Sequence, residues 1–359
     1  MTERRWHNLP LLKQYRMSVG WQRVMLSIGL TLVGLFVIVA VFAPWLAPHS
    51  YSDLASEAGE FGSLSAPSAA HPLGTTIAGY DVLSRVIWGA RTALLVIIIA
   101  VLASIILGSL LGLLSGYLGG VIDRVLVMIA DAIYAFPSLL LAIVLSIVIS
   151  GGQSSMWGGI FAAGLSMTVV FIPQYFRVVR SEVVRIKAEA FVESARVIGA
   201  SHRRVMFRHI FRNSTRSLPL VFTLNASEAI LTLAGLGFLG FGIEPNSAAE
   251  WGYDLNKSLS DVSNGIWWTS LFPGIAIVLV VLGLTLTGES LNDLADPRLR
   301  SRRRASAGSG TVADTSMVTL PDPAAVAAAS TAEQTVPASN ATAASLAEGA
   351  GASPERESK

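Results

Sequence analysis

The chain contains no cysteine. Disulfides, thiolate catalysis and cysteine-based zinc or iron–sulfur sites are excluded together, while the redox compartment stays open. Charge is also scarce: 14% of residues are charged, against about 25% in a soluble domain. With a mean hydropathy of +0.57, an ordinary water-soluble enzyme does not fit. Only four lysines are present, Lys13, Lys187, Lys257 and Lys359, and none follows a glycine. A Gly-Lys-Ser/Thr phosphate loop is therefore absent, and the chain cannot bind ATP in that way. The five histidines, His7, His49, His71, His202 and His209, lie outside the long apolar runs and form no H-E-x-x-H pair. Nor do two carboxylates stand a helical turn apart inside such a run, which leaves no basis for a membrane-embedded enzyme. The net charge of +2 is modest and sits in particular loops, so nucleic acid is not an expected partner.

What the chain has in abundance is apolar runs. A transmembrane helix needs about 20 mostly apolar residues, and six segments qualify: 24–45, 92–114, 125–149, 156–176, 218–240 and 266–287. The first ends in Ala43-Pro44-Trp45-Leu46-Ala47-Pro48, without a small-x-small cleavage pattern, and reads as an uncleaved span rather than a signal peptide. The fold class expected is an all-α membrane protein with six transmembrane helices. Basic residues orient it. Arg4, Arg5, Lys13, Arg16 and Arg23 precede the first span, Arg124 lies in the second turn, ten Lys and Arg lie in 177–216, and five in 289–304. The intervening loops hold Arg85 and Lys257. The positive-inside rule then places both termini in the cytoplasm. Residues 1–23 form a short N-terminal segment and 24–300 the membrane domain. The 301–359 tail lacks aromatics and is expected to stay disordered. Its Asn340-Ala341-Thr342 glycosylation pattern carries no meaning on the cytoplasmic side.

Within the spans, Gly108, Gly112, Gly116 and Gly120 recur every four residues, the spacing of a smooth helix face for close packing. Pro137 and Pro173 each remove a backbone donor, and kinks or breaks are expected there. Intramembrane polar groups are costly and should face protein or water. Asp131, Asn225 and Glu228 are such groups. They either line a translocation route or make helix–helix hydrogen bonds.

The loop at about 181–215 is too long for a simple connection. Val184, Ala188, Phe191, Ala195 and Ile198 make an apolar stripe at helical spacing. Gly199 then suits a left-handed cap, and Ser201 can cap a second helix through Val205, Ile210 and Phe211. Such a helix pair either lies on anionic lipid or seats its apolar knobs in a groove of a cytoplasmic protein.

The residues also carry a resemblance. Glu193-Ser194-Ala195-Arg196-Val197-Ile198-Gly199, followed by His209-Ile210, resembles the EAA loop of ABC-importer permeases. Further stretches resemble the C-type subunit of the dipeptide/oligopeptide branch, in family order over roughly 21–300. They are Ala43-Pro44-Trp45-Leu46-Ala47-Pro48, His71-Pro72-Leu73-Gly74-Thr75, Asp81-Val82-Leu83-Ser84-Arg85, Gly116-Tyr117-Leu118-Gly119-Gly120, Ala135-Phe136-Pro137-Ser138, Phe238-Leu239-Gly240-Phe241-Gly242, Glu250-Trp251-Gly252 and Asp296-Pro297-Arg298. There are departures. Ser194 replaces an Ala, Phe211-Arg212 replaces Leu-Pro, and Tyr80 stands for an Arg. Leu233 and Gly237 stand for Glu and Ser, and Asn292 for an Arg.

The resemblance implies a type I importer permease bundle in a bacterial cytoplasmic (inner) membrane, with no catalysis of its own. Phe191, Glu193, Ser194, Ala195, Ile198, Gly199, Ala200 and Ser201 would form the coupling element against a separate ATPase. There Glu193 would make a charged contact, Ala195 would allow close approach and Gly199 would set the helix angle. ATP and Mg would sit on one or two ATPase chains. A second homologous permease would complete the pathway, and an extracytoplasmic binding protein would deliver peptide cargo. Its docking surface would lie on 50–90 and 243–265, with Glu244, Glu250, Trp251, Asp254 and Asp261 as candidates. Nickel or haem-like cargo on the same architecture, and an ion-gradient-driven transporter, are the alternatives.

Overall fold

The computed structural model describes residues 21–56, 59–151, 155–215, 217–244 and 246–295. The tail, its Asn340 pattern, the basic residues before Trp21 and the Asp296-Pro297-Arg298 stretch lie outside them. Among the described residues, five continuous helices are long and apolar enough to cross a membrane: α1 (Trp21–Leu46), α2 (Val82–Leu118), α5 (Met156–Lys187), α9 (Leu218–Phe238) and α12 (Trp268–Ala295). A further apolar pair, α3 (Gly120–Tyr134) and α4 (Ser138–Ser150), is bent by 95° and makes a sixth crossing where its two halves count as one broken span.

That bend corrects the single third helix expected over 125–149. Pro137 has no N–H to donate and drives the residue before it out of the helical region. It stands at the N-cap of α4 with ψ 124°. Neither half alone is long enough for a bilayer: 13 residues of α4 reach about 20 Å at 1.5 Å per residue. Pro173 behaves differently, because α5 runs through it without a break. The other helices match the expected runs and extend several of them. α2 begins at an Asp81 cap, whose carboxylate accepts the Ser84 N–H at 2.8 Å. α5 continues beyond 176 to Lys187.

The central axis of the bundle is α2 against α5. A Cβ on Gly108 would stand 2.6 Å from Tyr175 Cβ, one on Gly112 would stand 2.6 Å from the Phe176 carbonyl, and one on Gly116 would stand 2.8 Å from Val183. The four-residue glycine spacing therefore lets two backbones approach as no larger residue allows. Gly120 does not belong to this face; it opens α3. Around the axis, Ala100, Val101, Leu113, Met167, Phe171 and Val179 are buried. α1 lies against α12, and α9 packs between α12 and α2.

At one end, two segments fold over the bundle. Residues 47–81 carry a short antiparallel ladder, β1 (Ala55–Ser56) with β2 (Gly59–Glu60). Between α9 and α12 lie α10 (Trp251–Lys257) and α11 (Leu259–Ser263). At the other end, α5 leads into α6 (Ala190–Val197), α7 (His202–Arg204), a π-helical turn Val205–Phe211 and α8 (Arg212–Ser214).

Candidate functional site

The loop between α5 and α9 is a helix pair, but its inward face differs from the expected stripe. Val184 ends up exposed on α5 and Ala188 lies in the gap between helices. Glu189 then starts α6 afresh from an extended backbone. Val192, Ala195, Val205 and Ile210 are the residues turned inward. Ala195 thus packs against its own chain. The exposed knobs are Phe191, Val197 and Ile198, the last two 82% and 84% exposed.

Gly199 has φ +83°. Its N–H donates to the Arg196 carbonyl at 2.9 Å, and Ala200 N–H donates to the Ala195 carbonyl at 3.0 Å. This pair of bonds is the left-handed cap that a Cβ disfavours. Ala200 is half-buried against the core. Ser201 takes the extended cap backbone, yet its hydroxyl does not cap α7. Ser194 is exposed and donates to the Ala190 carbonyl at 3.0 Å, while Glu193 is exposed to solvent. The π turn places Val205 and Ile210, five residues apart, on one buried side.

Two polar contacts that sequence reading missed tie this loop to the α2–α3 corner. The Tyr117 hydroxyl is 2.9 Å from His202 Nδ1, and Lys187 Nζ donates to the Tyr117 carbonyl at 2.6 Å. Beside them, Arg180 holds Asp123 with two bonds of 2.6 and 2.7 Å.

The intramembrane polar residues gather along α5. Asp131 pairs with Arg177 at 2.8 Å on an exposed face, and the Arg177 guanidinium lies 4.2 Å from the Tyr134 ring centre. One turn earlier, Gln174 Nε2 donates to Glu228 Oε2 at 3.5 Å. Asn225 is buried with its Nδ2 unpartnered, facing a buried Tyr175 hydroxyl that also lacks a bond of ordinary geometry. A cavity of about 230 Å³ opens at the α3–α4 break, lined by Tyr134, Phe136, Ser138, Gln174 and Glu228 among others. A second, of about 260 Å³, lies toward the other end beside Ser150, Ser155, Glu244 and Ser247.

The proposed docking acids are largely corrected. Glu250, Trp251 and Asp254 are 2%, 4% and 8% exposed, and Asp261 is buried as well; only Glu244 faces solvent. Glu250 accepts the Gly252 and Tyr253 N–H groups at 2.8 and 2.7 Å and so caps α10. Its burial pushes the carboxyl up to about 8, against the pull of those two bonds. Asp254 receives Arg85 Nε at 2.8 and 3.0 Å, with Nη2 at 2.7 Å. Arg85 also donates to the Tyr51 carbonyl at 3.1 Å and lies 4.9 Å from the Tyr80 ring centre. The Tyr80 hydroxyl reaches Asn246 at 2.7 Å, and His71 Nδ1 lies 3.0 Å from Asp81. Trp251 Nε1 donates to the Val86 carbonyl at 3.0 Å. Glu250 thus caps its own helix and Asp254 ties that helix to Arg85 of α2, which leaves little of either acid for a partner.

Residues 104–301 match the model of the binding-protein-dependent transport system inner membrane component. The chain belongs to that family. Residues 24–67 of this permease also match the N-terminal transmembrane domain of oligopeptide transport permease C. The permease is 42% identical to the dipeptide transport system permease protein DppC of Escherichia coli (strain K12), over 76% of this chain and 89% of that one. It is 37% identical to the DppC of Alkalihalophilus pseudofirmus, over 76% and 86%. With the glutathione transport system permease protein GsiD of Salmonella typhimurium the identity is 36%, over 82% and 96%. The permease is thus a multi-pass membrane component of a binding-protein-dependent ABC transporter, with the all-α permease fold.

Proposed function

We propose that the permease forms half of the translocation pathway of an ATP-driven importer of small peptides. The observation that carries this is the loop after α5. It presents Phe191, Val197 and Ile198 outward, beside Glu193, on a helix ended by the Gly199 cap. An exposed apolar face of this kind suits a protein groove, and here the groove would belong to an ATPase chain that holds ATP and Mg. Gly199 fixes the angle between α6 and α7, so that a push on α6 reaches α2 through His202 and Tyr117. By the distribution of basic residues, this loop and both termini lie in the cytoplasm. A second permease completes the pathway, and an extracytoplasmic binding protein meets the opposite end, where Glu60 and Glu244 are exposed acids. Peptide cargo is supported by two relatives whose names specify dipeptide transport and one whose name specifies glutathione, itself a peptide.

Purification of the tagged chain from its native membrane in mild detergent, with mass spectrometry of what stays bound, tests the assembly. A second six-span permease and one or two Walker-A ATPases are expected, together with dipeptide uptake that stops on ATP depletion and survives collapse of the proton gradient. Recovery of the chain alone, with uptake surviving ATP depletion, would overturn the proposal in favour of a gradient-driven transporter.

A further inference from the structure

Glu228 stands midway along α9 and meets Gln174 of α5, one turn before Arg177, so the cavity between them lies within the spans on the side of the loop after α5. A carboxylate offers about four acceptor positions, and an acid at that depth must face protein or a wet cavity. Its one side-chain partner among the described residues is Gln174, at the 3.5 Å limit of a hydrogen bond. The nearest turn of α5 does supply a cation, Arg177. That guanidinium is already committed to Asp131 and to the Tyr134 ring. Among the described residues, therefore, no positive group answers Glu228.

The surroundings fit one. Phe136 lines the same cavity beside Tyr134, whose ring already carries Arg177, and aromatic faces attract cations. The α3–α4 break brings irregular backbone to membrane depth, which is tolerated where it lines a cavity. A volume of about 230 Å³ is below the range for a whole drug-sized ligand, so the cavity takes one end of a cargo molecule rather than all of it.

From these observations we infer that the Glu228–Gln174 cavity is a pathway subsite for the terminal ammonium group of a peptide cargo. Glu228 accepts the ammonium, and the Tyr134 and Phe136 rings shield it from lipid. The inference rests on the peptide-import reading above and assigns the part of the cargo that this half of the pathway holds.

Because the chain has no cysteine of its own, Ser138→Cys puts a single thiol on this chain at the cavity wall. In membrane vesicles bearing the whole transporter, a cationic ethylammonium methanethiosulfonate should modify it about tenfold faster than the anionic sulfonatoethyl analogue, after correction for intrinsic reactivity. Glu228→Gln should bring the two rates together. A dipeptide with a free amino terminus should slow modification, and its N-acetylated form should not. Equal rates in the Glu228 protein, or an unchanged ratio in Glu228→Gln, would overturn the inference. So would charge selectivity without protection by the free-amine dipeptide.

Uptake of the same dipeptide by the parent complex is measured alongside. Absence of uptake refutes peptide import itself, whereas uptake with an unprotected thiol refutes only the ammonium subsite. If Ser138→Cys fails to assemble, transport carries the test. With binding-protein affinities measured separately, the parent should favour the free amine over the N-acetyl form by about tenfold, as expected for one charged hydrogen bond. Glu228→Gln should approach parity and Glu228→Asp should recover the preference. An undiminished preference in Glu228→Gln would contradict the inference.

Discussion

Arg85 and Asp254 come from segments far apart in the chain and meet in a bidentate pair that is almost wholly buried. Breaking such a pair from one side leaves a charge without compensation, at a cost of about 3–5 kcal/mol. Arg85→Met should therefore lower the thermal stability of the detergent-solubilised permease sharply. The double change with Asp254→Leu should recover much of the loss, which a denaturation series of the three variants measures. Glu250 behaves differently, because it is buried without a cation in contact and its carboxyl is raised to about 8 from 4.5. The folded state then holds a proton that the unfolded chain releases above about pH 4.5. Stability from this group is full below that pH and is lost as pH rises through about 8. Glu250→Gln should flatten the fall in stability between pH 5 and 8, read as the melting temperature against pH. These two acids also mark where sequence reading failed. Acidic side chains between spans look like a solvated surface, and nothing in their order shows which way they point. The usable signal was Arg85, a basic residue isolated on the side with few positive charges.

At the scale of the helix, Pro137 and Pro173 carry the same chemical lesion with opposite results. Phe171 and Tyr175 flank Pro173 and are fully buried, and the Ile172 carbonyl abuts Gly108 of α2. Packing on α2 thus holds α5 together across the missing bond. Pro137 has a cavity beside it instead, and the chain turns there. Sequence exposes the proline but not the neighbour that compensates for it. The glycine face of α2 was legible, because a four-residue repeat has one meaning on a helix. Gly112→Leu should push α2 off α5, and the expected result is loss of assembled permease in the membrane on native gels. The stripe across 184–198 was misread because helical spacing carries over a chain break unchanged; Val184 and Phe191 belong to different helices. Gly199 was legible from its position after the stripe. A β-branched residue at its left-handed backbone adds about 1–2 kcal/mol of strain, although the space around it is open. Gly199→Val should leave membrane insertion intact and abolish transport-coupled ATP hydrolysis, measured in reconstituted vesicles. Gly199→Asn, which tolerates that conformation, should retain part of it.

Over the whole molecule, the two ends of the bundle are built for different tasks. One end is fastened by Tyr80–Asn246, which joins its two segments, and by Arg85–Asp254 and Trp251–Val86, which tie the second of them to the start of α2. The opposite end carries a helix pair tethered at Tyr117–His202 and Lys187 but apolar and exposed on its far side. The five continuous spans were legible because lipid thickness sets the length of an apolar run. The fastening and the tether were not, since each joins residues far apart in sequence through side chains of ordinary composition. The claim that unites the account is that the exposed helix α6 delivers the work of ATP hydrolysis to this bundle. It is tested most directly by Ile198→Cys in the otherwise cysteine-free chain, followed by short bifunctional cross-linking in native membranes. A covalent product with a Walker-A ATPase chain is expected, with a yield that changes on ATP addition. A fully transport-competent Ile198→Cys permease that cross-links only to lipid, or to nothing, would contradict the account.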